Sequence, residues 1–156
     1  LKTEPSSRVV ALGNAGASLS GEISNIFYNP ASLGRLQGTD IQFTFNKWLA
    51  DITYNYMAAG INVEGIGTFA LVGTLLNSGE MDVRTVENPL GTGERFTVNN
   101  LALGLGYGLM LTDRVSVGFQ INYINEAIWH SSLNTFGLTA RHPLSFSRPW
   151  AWPTPF

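Results

Sequence analysis

The chain has 156 residues, a formal net charge of -2 and 13% charged residues, about half the charged share of an ordinary soluble domain. It has no cysteine and two histidines, which excludes disulfide frameworks and cysteine nucleophiles and leaves little for a histidine-based metal or catalytic cluster. The near-zero charge gives no electrostatic footprint for nucleic acid. No apolar run approaches the roughly 18 residues of a transmembrane helix.

The first 38 residues are rich in Gly, Ala and Ser and contain one clear signal for a helix start. Asn29 is a strong N-cap residue and Pro30 suits the first helical position. Gly34 then fits a C-terminal stop. We interpret Asn29-Pro30-Ala31 as a local cap that joins this segment to the first strand, with gating or ligand contact as the alternative.

Two aromatic residues, Phe27 and Tyr28, directly precede this cap. Either they anchor the opening segment against the rest of the fold, or they touch a hydrophobic ligand. The residue types leave both interpretations open.

Five later segments alternate apolar and polar residues with a period of two, which predicts strands with two different faces. They are residues 40–48, 51–63, 66–76, 100–111 and 115–124. A strand that crosses a bilayer at a tilt needs about 9–11 residues, whereas strands of soluble proteins usually have about 5–6. The lengths of these segments therefore favour a membrane barrel over a small sandwich.

The fourth segment has the clearest alternation. Leucines and a tyrosine line one of its faces from Leu101 to Leu111, and the other face is small, with Gly104, Gly106 and Gly108. Glycine weakens an ordinary strand and often marks a close approach of other backbone. The three glycines predict that the opening segment packs against this wall.

The connections between strands differ in length. Residues 64–65 and 112–114 are tight turns, while residues 77–99 form a long, charged connection, as in outer-membrane barrels with short periplasmic turns and long outer loops. We interpret the acidic residues of this loop as solvated, not as a metal or catalytic site. Trp48 and Trp129 suit the aromatic belt at a membrane interface.

A family resemblance runs through residues 8–138. The stretch SSRVVALGNAGASLSGEISNIFYNPASLGRL (6–36), followed in order by GTGERF (91–96) and LTDRVSVG (111–118), resembles the PorV/PorQ-type outer-membrane proteins, which are related to the FadL fatty-acid transporters. The resemblance implies an antiparallel outer-membrane β-barrel. Residues 1–38 would form a luminal plug that contains Asn29-Pro30-Ala31, and residues 39–138 would form the first five or six strands.

The same resemblance implies the location and the partners. We expect the outer membrane of a Gram-negative bacterium, with the signal peptide removed, contact with membrane lipid, and no cofactor, metal or catalytic residue. PorV-like members escort cargo in type IX protein secretion together with other outer-membrane subunits. FadL-like members pass hydrophobic small molecules.

The end of the chain departs from this pattern. Residues 139–156 contain four prolines and two tryptophans, and proline is excluded from central strands. We interpret this tail as the product of a frameshift or of a truncated gene. Because five or six strands are too few to close a barrel, we expect missing strands or another subunit to complete it.

A soluble lipocalin-like β-barrel that binds ligands is the competing class, and in it the leucine face of residues 101–111 would point inward. An enzyme is a distant third hypothesis, because the chain shows no recognisable nucleophile–base pair.

Overall fold

The computed structural model describes residues 4–48, 52–83, 92–112, 114–128 and 131–142. The helical elements are α1 (Ser7–Ala11) and three 3-10 helices, η1 (Gly16–Ser18), η2 (Ile23–Phe27) and η3 (Pro30–Arg35). The strands are β1 (Thr39–Lys47), β2 (Thr53–Val63), β3 (Gly67–Asn77), β4 (Met81–Asp82), β5 (Arg95–Phe96), β6 (Val98–Thr112), β7 (Val115–Ile128) and β8 (Ser131–Arg141).

Six long strands form one antiparallel sheet in the order β1-β2-β3-β6-β7-β8. The small β4–β5 hairpin interrupts the connection between β3 and β6. The prediction of an antiparallel, mostly β fold is therefore confirmed. The sheet is not closed: within the described ranges, β1 pairs with β2 alone and β8 with β7 alone, so these strands by themselves do not make a barrel.

The last three long strands are longer than the alternation predicts, whereas β1, β2 and β3 are not. β6 and β7 have 15 and 14 residues, and the sixth strand, expected at 133–138, runs from Ser131 to Arg141. Its last residue pairs with Gly118 of β7. Thus residues 139–141, which the sequence assigns to the atypical tail, continue the sheet, and residues 143–156 lie outside the described ranges.

The long connection between β3 and β6 is partly folded. Its hairpin places the Arg95 guanidinium 2.7 Å from Glu80 Oε2 and 3.5 Å from Asp82 Oδ1. The hydrogen bond to Glu80 raises the pKa of Arg95, and the charges of the two acids add to this shift. All three side chains are exposed, so the pairs contribute little stability. In the described part of the chain, no three acidic or histidine residues are grouped as a metal site.

The N-terminal segment covers only one of the two faces of the sheet. The N-terminal segment, residues 4–38, lies on one of them, which we call the inner face; the opposite one is the outer face. The core is formed between segment and sheet by Ile23, Ile26, Leu33, Leu36, Tyr54, Tyr56, Ala58, Ala70 and Val72. Burial of one side chain such as Ile23, Ile26 or Leu33 stabilises the fold by about 1.5–3 kcal/mol. The N-terminal segment supplies several of these side chains, so it is an integral part of the fold.

Candidate functional site

Asn29 caps the last helical turn before the sheet. Its backbone is extended, with φ -153 and ψ 103, and Pro30 follows it at the start of η3. Its Oδ1 accepts a hydrogen bond from the backbone N–H of Ala31 at 3.1 Å, and its Nδ2 donates to the carbonyl of Ala17 at 3.1 Å. Asn29 therefore satisfies a free N–H group of η3 and also ties η3 to η1.

Gly34 has a different role from the one expected. It lies inside η3, which continues to Arg35, so the prediction of a C-terminal stop is wrong. A Cβ atom on Gly34 would lie 2.9 Å from the carbonyl carbon of Leu109 and 3.0 Å from the nitrogen of Met110. The missing side chain allows η3 to approach the backbone of β6.

Two glycines of β6 form the other side of this contact. A Cβ atom on Gly108 would lie 2.5 Å from Leu33 Cβ, and one on Gly106 would lie 2.6 Å from Ile26 Cδ1. Real Cβ atoms do not come so close without a shift of the neighbour, because interiors are closely packed. Gly106 and Gly108 thus lie against the N-terminal segment.

Gly104 also lies on the inner face and lines the cavity below η2, but its nearest neighbours belong to the sheet and not to the N-terminal segment. A Cβ atom there would lie 2.5 Å from Asn122 Oδ1 and 2.8 Å from Gln120 Nε2, so polar side chains of β7 fill the space. Gly118 of β7, which no pattern in the sequence marks, contacts the segment instead: a Cβ atom on it would overlap the carbonyl of Pro30.

Phe27 and Tyr28 lie at the C-terminal end of η2. Their ring centroids are 5.1 Å apart in an edge-to-face arrangement, and the Phe27 ring lies 6.1 Å from that of Tyr56 on β2. Tyr28 packs over Gly16, where a Cβ atom would come 2.6 Å from its ring. Burial raises the pKa of Tyr28, and the neighbouring Glu4 carboxylate raises it further. Both aromatics are therefore partly buried in the fold and also line a cavity.

This cavity, of about 290 Å³, lies between η2 and the inner face. Phe27 and Tyr28 line one side of it, and Thr74, Gly104, Gln120 and Asn122 are among the residues that line the sheet side. Gln120 Nε2 donates a hydrogen bond to Asn122 Oδ1 at 2.7 Å. We call Gln120 and Asn122 the amide pair.

The sequence does not reveal the amide pair, because Gln120 and Asn122 look like ordinary polar positions of an alternating strand. The register of β6 and β7 places Gly104 opposite Asn122 and Gly106 opposite Gln120. The missing side chain of Gly104 leaves space that both amide side chains occupy. Because this placement depends on the register between the two strands, no local pattern in the sequence identifies the site.

The outer face is apolar and exposed from one edge of the sheet to the other. Ile41 and Phe43 on β1 are 68% and 67% exposed, and Phe136 and Leu138 on β8 are 76% and 75% exposed. The strands between them add exposed Met57, Ile61, Phe69, Leu71, Leu75, Leu103, Leu105, Phe119 and Ile121. Side chains of neighbouring strands touch, as in the ring contacts of Tyr107 with Phe69 and Phe119 at 5.1 and 5.3 Å.

Of the two residues predicted for an aromatic belt, Trp48 follows β1 and is exposed. Trp129 lies outside the described residues. Among the helices that the structure describes, none is long and apolar enough to cross a membrane.

Comparison with known proteins finds no matching family model, no matching curated protein and no matching solved structure.

Proposed function

We propose that this chain forms part of the wall and the luminal plug of an outer-membrane β-barrel that escorts cargo in protein secretion, as PorV-like proteins do. The observation that carries the membrane part is the apolar outer face, which continues across all six long strands. Soluble monomers rarely expose apolar patches larger than a few hundred Å². Lipid is a cover that fits long antiparallel strands with an apolar face on one side and small or polar residues on the other.

The N-terminal segment gives a second reason to expect a barrel. Val9 is buried against the fold, but Val10 and Leu12 are 52% and 51% exposed. The segment therefore has apolar side chains on a side that this sheet does not cover. Further strands that curve around the segment would bury them.

The open edges require such strands as well. Unpaired backbone groups are not tolerated in the hydrocarbon region of a bilayer, so a sheet that spans it has to close. β1 and β8 are the two edges of the described sheet. Additional strands of a longer chain, or another subunit, would pair with them.

The role in secretion rests on the resemblance of residues 91–96 and 111–118 to the PorV-like pattern. FadL-like transport of hydrophobic molecules is the alternative within the same architecture, but the amide pair at the cavity argues against an apolar ligand there. A soluble lipocalin-like barrel is less favoured, since Leu103 and Leu105 are exposed on the outer face and do not point into the core.

Cell fractionation tests the proposal. The chain, expressed with a secretion signal in a Gram-negative host, should sediment with the outer membrane as part of an assembly in which further strands or another subunit close the sheet, and it should dissolve only when detergent is added. Recovery of a folded, monomeric protein from detergent-free buffer would contradict the membrane assignment. Co-purification with secreted cargo, compared with a chain in which residues 91–96 are replaced by Gly-Ser repeats, tests the secretion role separately.

A further inference from the structure

The amide pair presents an unused hydrogen-bond acceptor beside an unused donor. The bond between the two side chains uses Gln120 Nε2 and Asn122 Oδ1. Each side-chain amide has a carbonyl oxygen and an NH₂ group, and in the described part of the chain Gln120 Oε1 and Asn122 Nδ2 have no partner. Both residues line the cavity. A ligand with a donor and an acceptor on adjacent atoms would satisfy both.

The charges around the cavity favour a neutral ligand. Glu126 and Arg141 both line it, but they lie at opposite ends, since Glu126 pairs with Leu133 and Arg141 with Gly118. Because these two charges are opposite, the lining of the cavity has no net charge. An anionic or cationic ligand would gain attraction at one end and meet repulsion at the other.

The apolar part of the lining limits the ligand further. Phe27 and Tyr28 offer aromatic surface, and Ile26 and Val72 offer aliphatic surface. A hydrocarbon chain would match this surface but would cover the amide pair and leave its polar atoms without water, which is costly for an unsatisfied buried group. The ligand must combine hydroxyl or amide groups on one side with a C–H face on the other.

We propose that the cavity binds a neutral sugar unit, with neighbouring hydroxyls on the amide pair and a C–H face of the ring on Phe27. The volume of about 290 Å³ is at the small end of ligand sites and suits a single pyranose ring. The inference does not depend on the function proposed above, because the cavity is formed by the N-terminal segment and the sheet whether or not lipid covers the outer face.

The test uses N-acetylglucosamine as the probe and the full chain in a detergent without a sugar headgroup. Saturation-transfer NMR and titration calorimetry should show saturable binding. Asn122→Leu should weaken it about tenfold or more through the lost hydrogen bond. Asn125→Leu is the matched control, since Asn125 is on the outer face of the same strand and contacts Asn134, and it should bind like the wild type. Hexanoate should not compete.

A second variant keeps the test decisive if Asn122→Leu does not fold. Gly104→Ala places a methyl group against both amide side chains and should weaken binding while the strand is retained in circular dichroism. Absence of saturable binding by the wild type, equal binding by the wild type and Gly104→Ala, or displacement by hexanoate would overturn the proposal. These results leave the fractionation experiment unaffected, so the two proposals fail separately.

Discussion

The two faces of one strand differ in the size and the burial of their side chains. On β6, Leu105 is 65% exposed on the outer face, while Gly106, the next residue, lies buried against Ile26. In a soluble sheet the leucine would be buried and the small residue would face water. Here the large apolar side chains point away from the protein core, and glycines allow the N-terminal segment to come close. The alternation therefore gives the strand two unlike faces, one packed against the N-terminal segment and one apolar and exposed.

The largest expected difference between the faces comes from truncating a leucine on each. Leu33 is buried between η3 and the inner face, so Leu33→Ala should lower the free energy of unfolding by about 2–5 kcal/mol. Leu105→Ala on the exposed outer face should change it by at most about 0.5 kcal/mol. Urea unfolding of both variants in the same detergent micelles measures the two changes in the free energy of unfolding. Equal losses would mean that the outer face is packed against protein.

A charge introduced at the centre of the outer face should destabilise the protein strongly, and a charge at its margin should destabilise it little. We expect Leu105→Arg to destabilise the bilayer-inserted protein by about 2–4 kcal/mol, and Asn125→Arg, nearer the polar end of the face, by about 0–1 kcal/mol. Folding into lipid vesicles, followed by electrophoretic mobility, measures the difference. If both changes were neutral, the outer face would be in contact with water.

Adding one methyl group distinguishes close packing from free space. Gly108→Ala would bring a methyl group to 2.5 Å from Leu33 Cβ and should cost about 1–3 kcal/mol through overpacking. Gly73→Ala is the control, because the nearest atom there is Leu103 Cδ2 at 3.8 Å; it should be neutral or stabilise by about 0.5–1 kcal/mol. Protease digestion of the N-terminal segment should accelerate only in Gly108→Ala.

The smallest expected effect is at the cap. Asn29→Ala removes the hydrogen bonds to Ala31 and Ala17 and should cost about 0.5–2 kcal/mol, whereas Asn29→Ser keeps a capping oxygen and should lose less. Urea unfolding monitored by tryptophan fluorescence gives both values. Identical stabilities of the alanine and serine variants would show that the cap does not hold η3 in place.

The alternation in the sequence is sufficient to predict the strands because its period of two is a local property. It predicts β1, β2, β3, β6 and β7. It underestimates the length of β8, because the alternation of Phe136 and Leu138 with small or polar residues is soon followed by a proline-rich stretch. The two-residue strands β4 and β5 are missed, since two residues have no period. Their pairing depends on a long connection that brings Met81 opposite Phe96.

Contacts between distant segments are harder to predict. Gly104, Gly106 and Gly108 look equivalent in the sequence, yet only the last two meet the N-terminal segment. Which glycine meets which neighbour depends on the register between β6 and β7 and on the path of η2 and η3, which are tertiary properties. The same register brings Gln120 and Asn122 to the cavity, so this site became visible only in the folded chain.

The central claim is that lipid covers the outer face, and spin labelling tests it most directly. The chain has no cysteine, so single cysteines can carry labels at Leu103 and Leu105 on the outer face and at Ala102 and Gln120 on the inner face. In lipid vesicles we predict high accessibility to oxygen and low accessibility to a water-soluble nickel chelate at the two leucine positions, and the lower oxygen accessibility of a packed interior at the other two. High accessibility of the labels at positions 103 and 105 to the nickel chelate would contradict the claim.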